Sequence, residues 1–191
     1  MKIKVVILEK IGKFLKLLFL IISLSLMLNA EKLCYVNDDI MLSILKTEAH
    51  IKRGAGYQYL ISFNNSKDIK LVQQSILKKY FIDNRTIDCK NNELCVKFTK
   101  ALWSIKIINL DLGAFQLNSK WHKTEAKNYF NLKASYEMAC NYIERNIKKK
   151  GRNWYAIAGY HSFTMKYNKI YKKHLMRNYK LIKKWKKENK E

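Results

Sequence analysis

Read at helical spacing, the stretch MLSILKTEAH (residues 41–50) puts Met41, Ile44 and Leu45 on one apolar stripe, and the next residue on that stripe is Glu48. A carboxyl on an apolar face loses hydration in its charged form, so its pKa rises. A carboxyl still protonated near neutral pH is equipped to act as a general acid. Glu48 is therefore the first candidate for chemistry; the alternative is a helix end where the side chain turns out to water. Two later stretches also concentrate polar and aromatic groups around glycines: DLGAFQLNSKWH (111–122) and NWYAIAGYHSF (153–163).

These residues need elements to hold them. The pattern predicts a helix over 37–50, capped by Asn37 or Asp38 and ended by Gly54 and Gly56. Tyr57, Tyr59, Ile61 and Phe63 alternate as in a short strand, and Asn64-Asn65-Ser66 turns the chain. Leu71, Val72, Ile76, Leu77 and Tyr80 predict a helix over 68–81, and a further helix is read at 99–109. Around Gly113 the helical period breaks into short extended pieces. Leu132, Tyr136, Ala139, Cys140, Ile143 and Ile147 define an amphipathic helix that closes in Lys148–Lys150 and Gly151. Asn153 opens an almost wholly apolar helix, and a long basic helix follows from about Asn168. The chain reads as mainly α with a small central β element.

At 191 residues there is chain enough for one domain with a real core. The first thirty residues read as a signal peptide: scattered lysines, an apolar run from Leu17 to Leu28, then Asn29 and Ala30. An uncleaved anchor is the alternative. The expected organisation is thus a signal segment at 1–30, a catalytic-type domain at 31–171 and a basic C-terminal helix or tail at 172–191.

All four cysteines (Cys34, Cys89, Cys95, Cys140) follow the apolar run, so export would place them in an oxidising compartment. Four cysteines allow three pairings. The favoured set closes CKNNELC through Cys89–Cys95 and ties the mature N-terminus to a later helix through Cys34–Cys140; buried free thiols are the alternative. With no C-x-x-C pair and four histidines, no zinc site is expected. The net charge of +23 attracts polyanions. For an exported protein, anionic lipid or an acidic wall polymer fits better than nucleic acid, which is not an expected partner.

Asp111, Gly113, Gln116, Asn118, Ser119 and Trp121 match the segment D-x-G-x-x-Q-x-N-S-x-W, and so the chain resembles c-type lysozymes and the specialised lytic transglycosylases of secretion and pilus systems. NWYAIAGYHS resembles the A-x-x-x-Y-N/H-S/A-G segment of lytic transglycosylases, with Tyr160 and His161 at its centre. Cys34 and the ACN at 139–141 fit the positions of a disulfide in the pilus and secretion subgroup. The resemblance spans roughly residues 34–171, in the order acid helix, G-x-x-Q turn, cysteine helix, tyrosine helix.

It implies a lysozyme-like α+β fold and cleavage of the β-1,4 bond between N-acetylmuramic acid and N-acetylglucosamine in peptidoglycan, with no cofactor or metal. Glu48 would be the acid and base, and Asp111 a secondary carboxylate stabilising charge on the sugar. Gln116, Asn118, Tyr160 and His161 would contact the glycan. Location in the periplasm or cell envelope follows, with a secretion, pilus or flagellar assembly as a candidate partner.

The sequence also departs from the pattern. Ala49-His50 stands where Ser-Gly is usual, Phe163 replaces a glycine, and the interval from Glu48 to Asp111 carries an insertion across 51–110. Two alternatives on the same site are hydrolysis of the same bond and a peptidoglycan-binding assembly factor without catalysis. A third reading makes the basic 172–190 helix a contact for anionic membrane.

Overall fold

The computed structural model describes residues 34–189. The expected signal segment, 1–30, lies outside them. Among the described residues there are seven α-helices and a four-stranded antiparallel sheet. Helix α1 (Asp38–Thr47) begins where the Asn37 side chain accepts the Asp39 N–H at 2.7 Å. It buries Met41 and Ile44 completely or nearly so.

Strands β1 (Leu60–Phe63), β2 (Thr86–Asp88), β3 (Leu110–Leu112) and β4 (Leu117–Asn118) lie in the order β2-β1-β3-β4. Ile61 of β1 pairs with Ile87 on one side and Leu112 on the other. All four β1 residues are buried, because β1 is internal to the sheet and helices α2 (Ser66–Gln73) and α3 (Asn92–Ser104) pack on it. The expected alternating strand from Tyr57 is therefore shorter, and it is buried on both faces.

The single helix expected over 68–81 is instead α2 and a 3₁₀ turn at Ile76–Tyr80. Ser75 divides them: its hydroxyl donates to the Val72 carbonyl at 2.7 Å and accepts from the Leu77 N–H at 3.2 Å, offering the backbone an alternative to the helix. The helix expected at 99–109 begins earlier, at Asn92, because the Asn91 side chain caps it through the Leu94 N–H. It ends by Lys106, which takes the left-handed conformation at φ 68° usually given to glycine. Cys89–Cys95 thus staples the first turn of α3, not a loop.

A short helix α4 (Ala126–Tyr129), not expected from the sequence, precedes α5 (Leu132–Lys150) and α6 (Trp154–Ala158), which follow as expected in kind. Helix α7 (Met165–Glu188) is continuous through the boundary drawn after residue 171. It packs along α1, buries Tyr171 and Leu175, and joins α1 through Asn178 to Thr47 (3.0 Å) and Lys186 to Asp39 (2.5 Å). Residues 172–188 therefore belong to this same helix. No described helix is long and apolar enough to cross a membrane.

Both favoured disulfides are present, with Cα separations of 5.7 Å for Cys34–Cys140 and 5.1 Å for Cys89–Cys95. Disulfides of this kind fit an exported protein.

Gly113, between β3 and β4, has φ +74°. A Cβ there would lie inside the Tyr129 carbonyl. Gly113→Ala is expected to cost about 4 kcal/mol or more, since both the conformation and the space are denied to it. A denaturant titration within 1 kcal/mol of wild type would contradict this packing.

Candidate active site

A groove of about 810 Å³ runs past the end of α1, the β3–β4 turn and the end of α6. Glu48, Asp111, Gln116, Asn118, Tyr160 and His161 all line it, so the structure brings the six candidate residues to one place.

Glu48 is the C-cap of α1, its N–H bonded to the Ile44 carbonyl at 2.8 Å. Glu48 is half-buried and lines the groove. Burial is the largest influence and raises its pKa to about 7, against an ordinary 4.5. The Tyr171 hydroxyl, which donates to Glu48 Oε1 at 2.6 Å, works the other way by favouring the carboxylate. The charge of Asp111 adds to the rise and that of Arg85 subtracts from it.

Asp111 projects from β3 with both oxygens engaged. Oδ1 accepts from Asn118 Nδ2 at 2.8 Å, and Oδ2 pairs with Arg85 Nη2 at 3.2 Å. Asn118 Nδ2 also donates to Asn109 Oδ1 at 2.9 Å, and Asn118 Oδ1 accepts the Lys120 N–H at 3.0 Å. One of these bonds helps hold Asp111, while Asn118 itself lines the groove. Gln116, at φ 46°, donates to the Gly113 carbonyl at 2.8 Å; among the described residues its Oε1 has no partner.

Tyr160 presents its ring to the groove, but its hydroxyl donates to the Phe115 carbonyl at 2.6 Å and ties α6 to the β3–β4 turn. His161 lies flat on Tyr171, with ring centroids 5.0 Å apart and planes 8° from parallel. Burial lowers the His161 pKa, which keeps the ring neutral beside the acid.

Three participants were not singled out from the sequence. Tyr171 shows there only as an apolar position of a basic helix. Arg85 carries no motif at all. The third is the pair His50–Asp83, joined at 2.7 Å. His50 Nδ1 accepts the Lys52 N–H at 3.1 Å, which assigns the proton to Nε2, facing Asp83. With both nitrogens engaged, His50 is a tie and not a free base. The other Asp83 oxygen accepts the N–H groups of Arg85 (2.8 Å) and Thr86 (2.6 Å), so this tie fixes the turn from which Arg85 reaches Asp111.

The described residues bring one set of metal-type ligands together, Cys34, Cys140 and Glu144. Its two sulfurs are bonded to each other, and Glu144 Oε1 accepts the Tyr35 N–H at 2.5 Å.

No family model, curated protein or solved structure matches the chain.

The raised pKa of Glu48 has a consequence for stability. Below pH 4.5 the group is protonated whether the chain is folded or unfolded, and it contributes no pH dependence. As pH rises to about 7 the unfolded chain ionises first, and that stability is progressively lost. Glu48→Gln is therefore expected to be neutral at pH 4 and stabilising by about 2–3 kcal/mol at pH 8. Equal gains at both pH values in thermal melts would show that Glu48 is not desolvated.

Proposed function

We propose that the protein is a peptidoglycan lytic transglycosylase of lysozyme-like architecture, working in the periplasm or cell envelope on the β-1,4 bond between N-acetylmuramic acid and N-acetylglucosamine. The observation that carries this reading is the Glu48 carboxyl, with a pKa of about 7, facing a groove walled by Asp111, Gln116 and Tyr160. A sheet beside the groove and a helix ending in the acid support the lysozyme-like arrangement. The family resemblance of 111–122 and 153–163 supplies the substrate.

In the proposed reaction Glu48 gives its proton to the glycosidic oxygen, and the bond to the muramyl anomeric carbon breaks as positive charge develops on the ring. The Glu48 carboxylate then takes the proton of the C6 hydroxyl of the same sugar, whose oxygen closes on the anomeric carbon. The products are a new chain end on the departing sugar and a 1,6-anhydro muramyl end, with no water consumed. Desolvation serves the first step, because it leaves a large share of Glu48 protonated at neutral pH. The Tyr171 hydroxyl serves the second by stabilising the carboxylate.

Asp111 supports this outcome over a covalent intermediate. Its two oxygens are held by Asn118 and Arg85, which suits a fixed negative charge beside the sugar better than a nucleophile. Gln116 Oε1 is positioned to accept a hydrogen bond from the glycan.

Purified peptidoglycan digested with the oxidised protein is expected to give anhydro-muropeptides by mass spectrometry, and Glu48→Gln to release at least about a hundredfold less. Products one water heavier would make the reaction hydrolysis. Equal release from both proteins would remove Glu48 from the mechanism. The rate should fall as pH rises through about 7. Tyr171→Phe removes a bond that favours the carboxylate, so it should move that limb to higher pH. An unmoved limb would deny Tyr171 its part in setting the acid.

A further inference from the structure

A second cavity, of about 750 Å³, opens beside the groove, and Trp121 and His122 border both. Its far wall is α5. Met138, Asn141, Arg145 and Lys148 recur there at intervals of three and four residues, so they share one helix face. That face is opposite the one that buries Ala139 and Ile143 in the core. Lys123, just beyond His122, supplies a third cation.

The charges are unbalanced. Against Lys123, Arg145 and Lys148 stands one carboxylate, Glu144, whose Oε1 is turned to the Tyr35 N–H. None of the three cations has a carboxylate partner among the described residues. Arg145 is held in place by the face of Tyr142, its guanidinium carbon 5.7 Å from the ring centroid, and Tyr142 itself lines the main groove. Half-buried His122, edge-on to the same Tyr142 ring at 4.6 Å, separates the two cavities. A chain lying in the groove would therefore pass a cationic recess on one side.

We propose that this second cavity is a binding site for carboxylate groups carried on side branches of the glycan, namely the acidic peptide stems of peptidoglycan, with Arg145 and Lys148 as the principal contacts and Lys123 as a third. The inference rests on the reading of the groove as a peptidoglycan site. The glycan backbone occupies the groove, and a stem leaving it beside Trp121 and His122 enters the recess. Arg145 offers a planar fork for a carboxylate, already oriented by Tyr142, while Lys148 and Lys123 act as movable point charges. The site gives affinity for stem-bearing chains and takes no part in bond cleavage.

Two readouts on the full oxidised chain separate this inference from the catalytic reading. The first is calorimetric binding of Glu48→Gln, which leaves strands uncut, to glycan strands bearing peptide stems and to the same strands after amidase removal of the stems. The second is wild-type cleavage of both kinds of strand. Stem-bearing strands should bind about five- to tenfold tighter at low salt. Adding Arg145→Gln and Lys148→Gln should abolish that preference while leaving the affinity for stripped strands unchanged, and raised salt should narrow it in the parent.

Equal affinity for both strands, or a preference that survives the double change, overturns the site, as does binding of neither. If wild type nevertheless cuts stripped strands, the catalytic reading stands without it. A preference lost on the double change, with no cutting of either strand, would keep the carboxylate site and sink the catalytic reading.

Discussion

The contact between the Glu48 carboxyl and the Tyr171 phenol joins the first described helix to the last, and the site is organised around it. The chain between them supplies the other influences on the acid. Burial at the end of α1 favours the neutral form, and Asp111 from β3 reinforces it. Tyr171 from α7 and Arg85 from the turn before β2 oppose it. A pKa near 7 is the balance of these influences. Helix α7 is thus part of the site, and its packing on α1 is a functional constraint as well as a structural one.

The segment between Glu48 and Asp111 has a second constraint at its base. Asp88 is fully buried at the end of β2, and burial by itself would raise its pKa. Hydrogen bonds from Tyr57, Arg53 and Lys90 override that and hold it at about 2. A buried carboxylate with this many donors fixes where the loop after α1, the end of β2 and the Cys89–Cys95 staple meet. The turn at Asp83–Arg85 is thereby steadied from two sides: by β2, and by His50 from the loop after α1. Through it the segment between α1 and β3 reaches into the groove, where Arg85 pairs with Asp111 and fixes its position.

Much of this was legible in the sequence where one residue type has one local meaning. Asn37 and Asn153 cap helices through their side chains, and Gly151 follows α5 with positive φ. The inward-facing acid follows from three apolar neighbours at helical spacing. The polar residues around Gly113 signal a tight turn, and four cysteines after the apolar run signal the staples. Boundaries were less legible where a competing local bond decides them, as at Ser75, or where a non-glycine residue turns left-handed, as at Lys106. Arg85, Tyr171 and the His50–Asp83 tie were not legible, because their meaning lies in partners 26, 123 and 33 residues away. Asn118 shows the same limit from the other side: its type suits a sugar contact, yet its amide supports Asp111.

Whether Glu48 holds its proton near neutral pH can be read from its own carboxyl resonance. The protein labelled with ¹³C at glutamate side chains, with Glu48→Gln to assign the signal, would be titrated by NMR across the acid and neutral range. A midpoint of about 7 is expected for Glu48. A midpoint near the ordinary 4.5 would mean that the carboxyl is solvated and ionised at neutral pH, and the proposed acid step would have no donor.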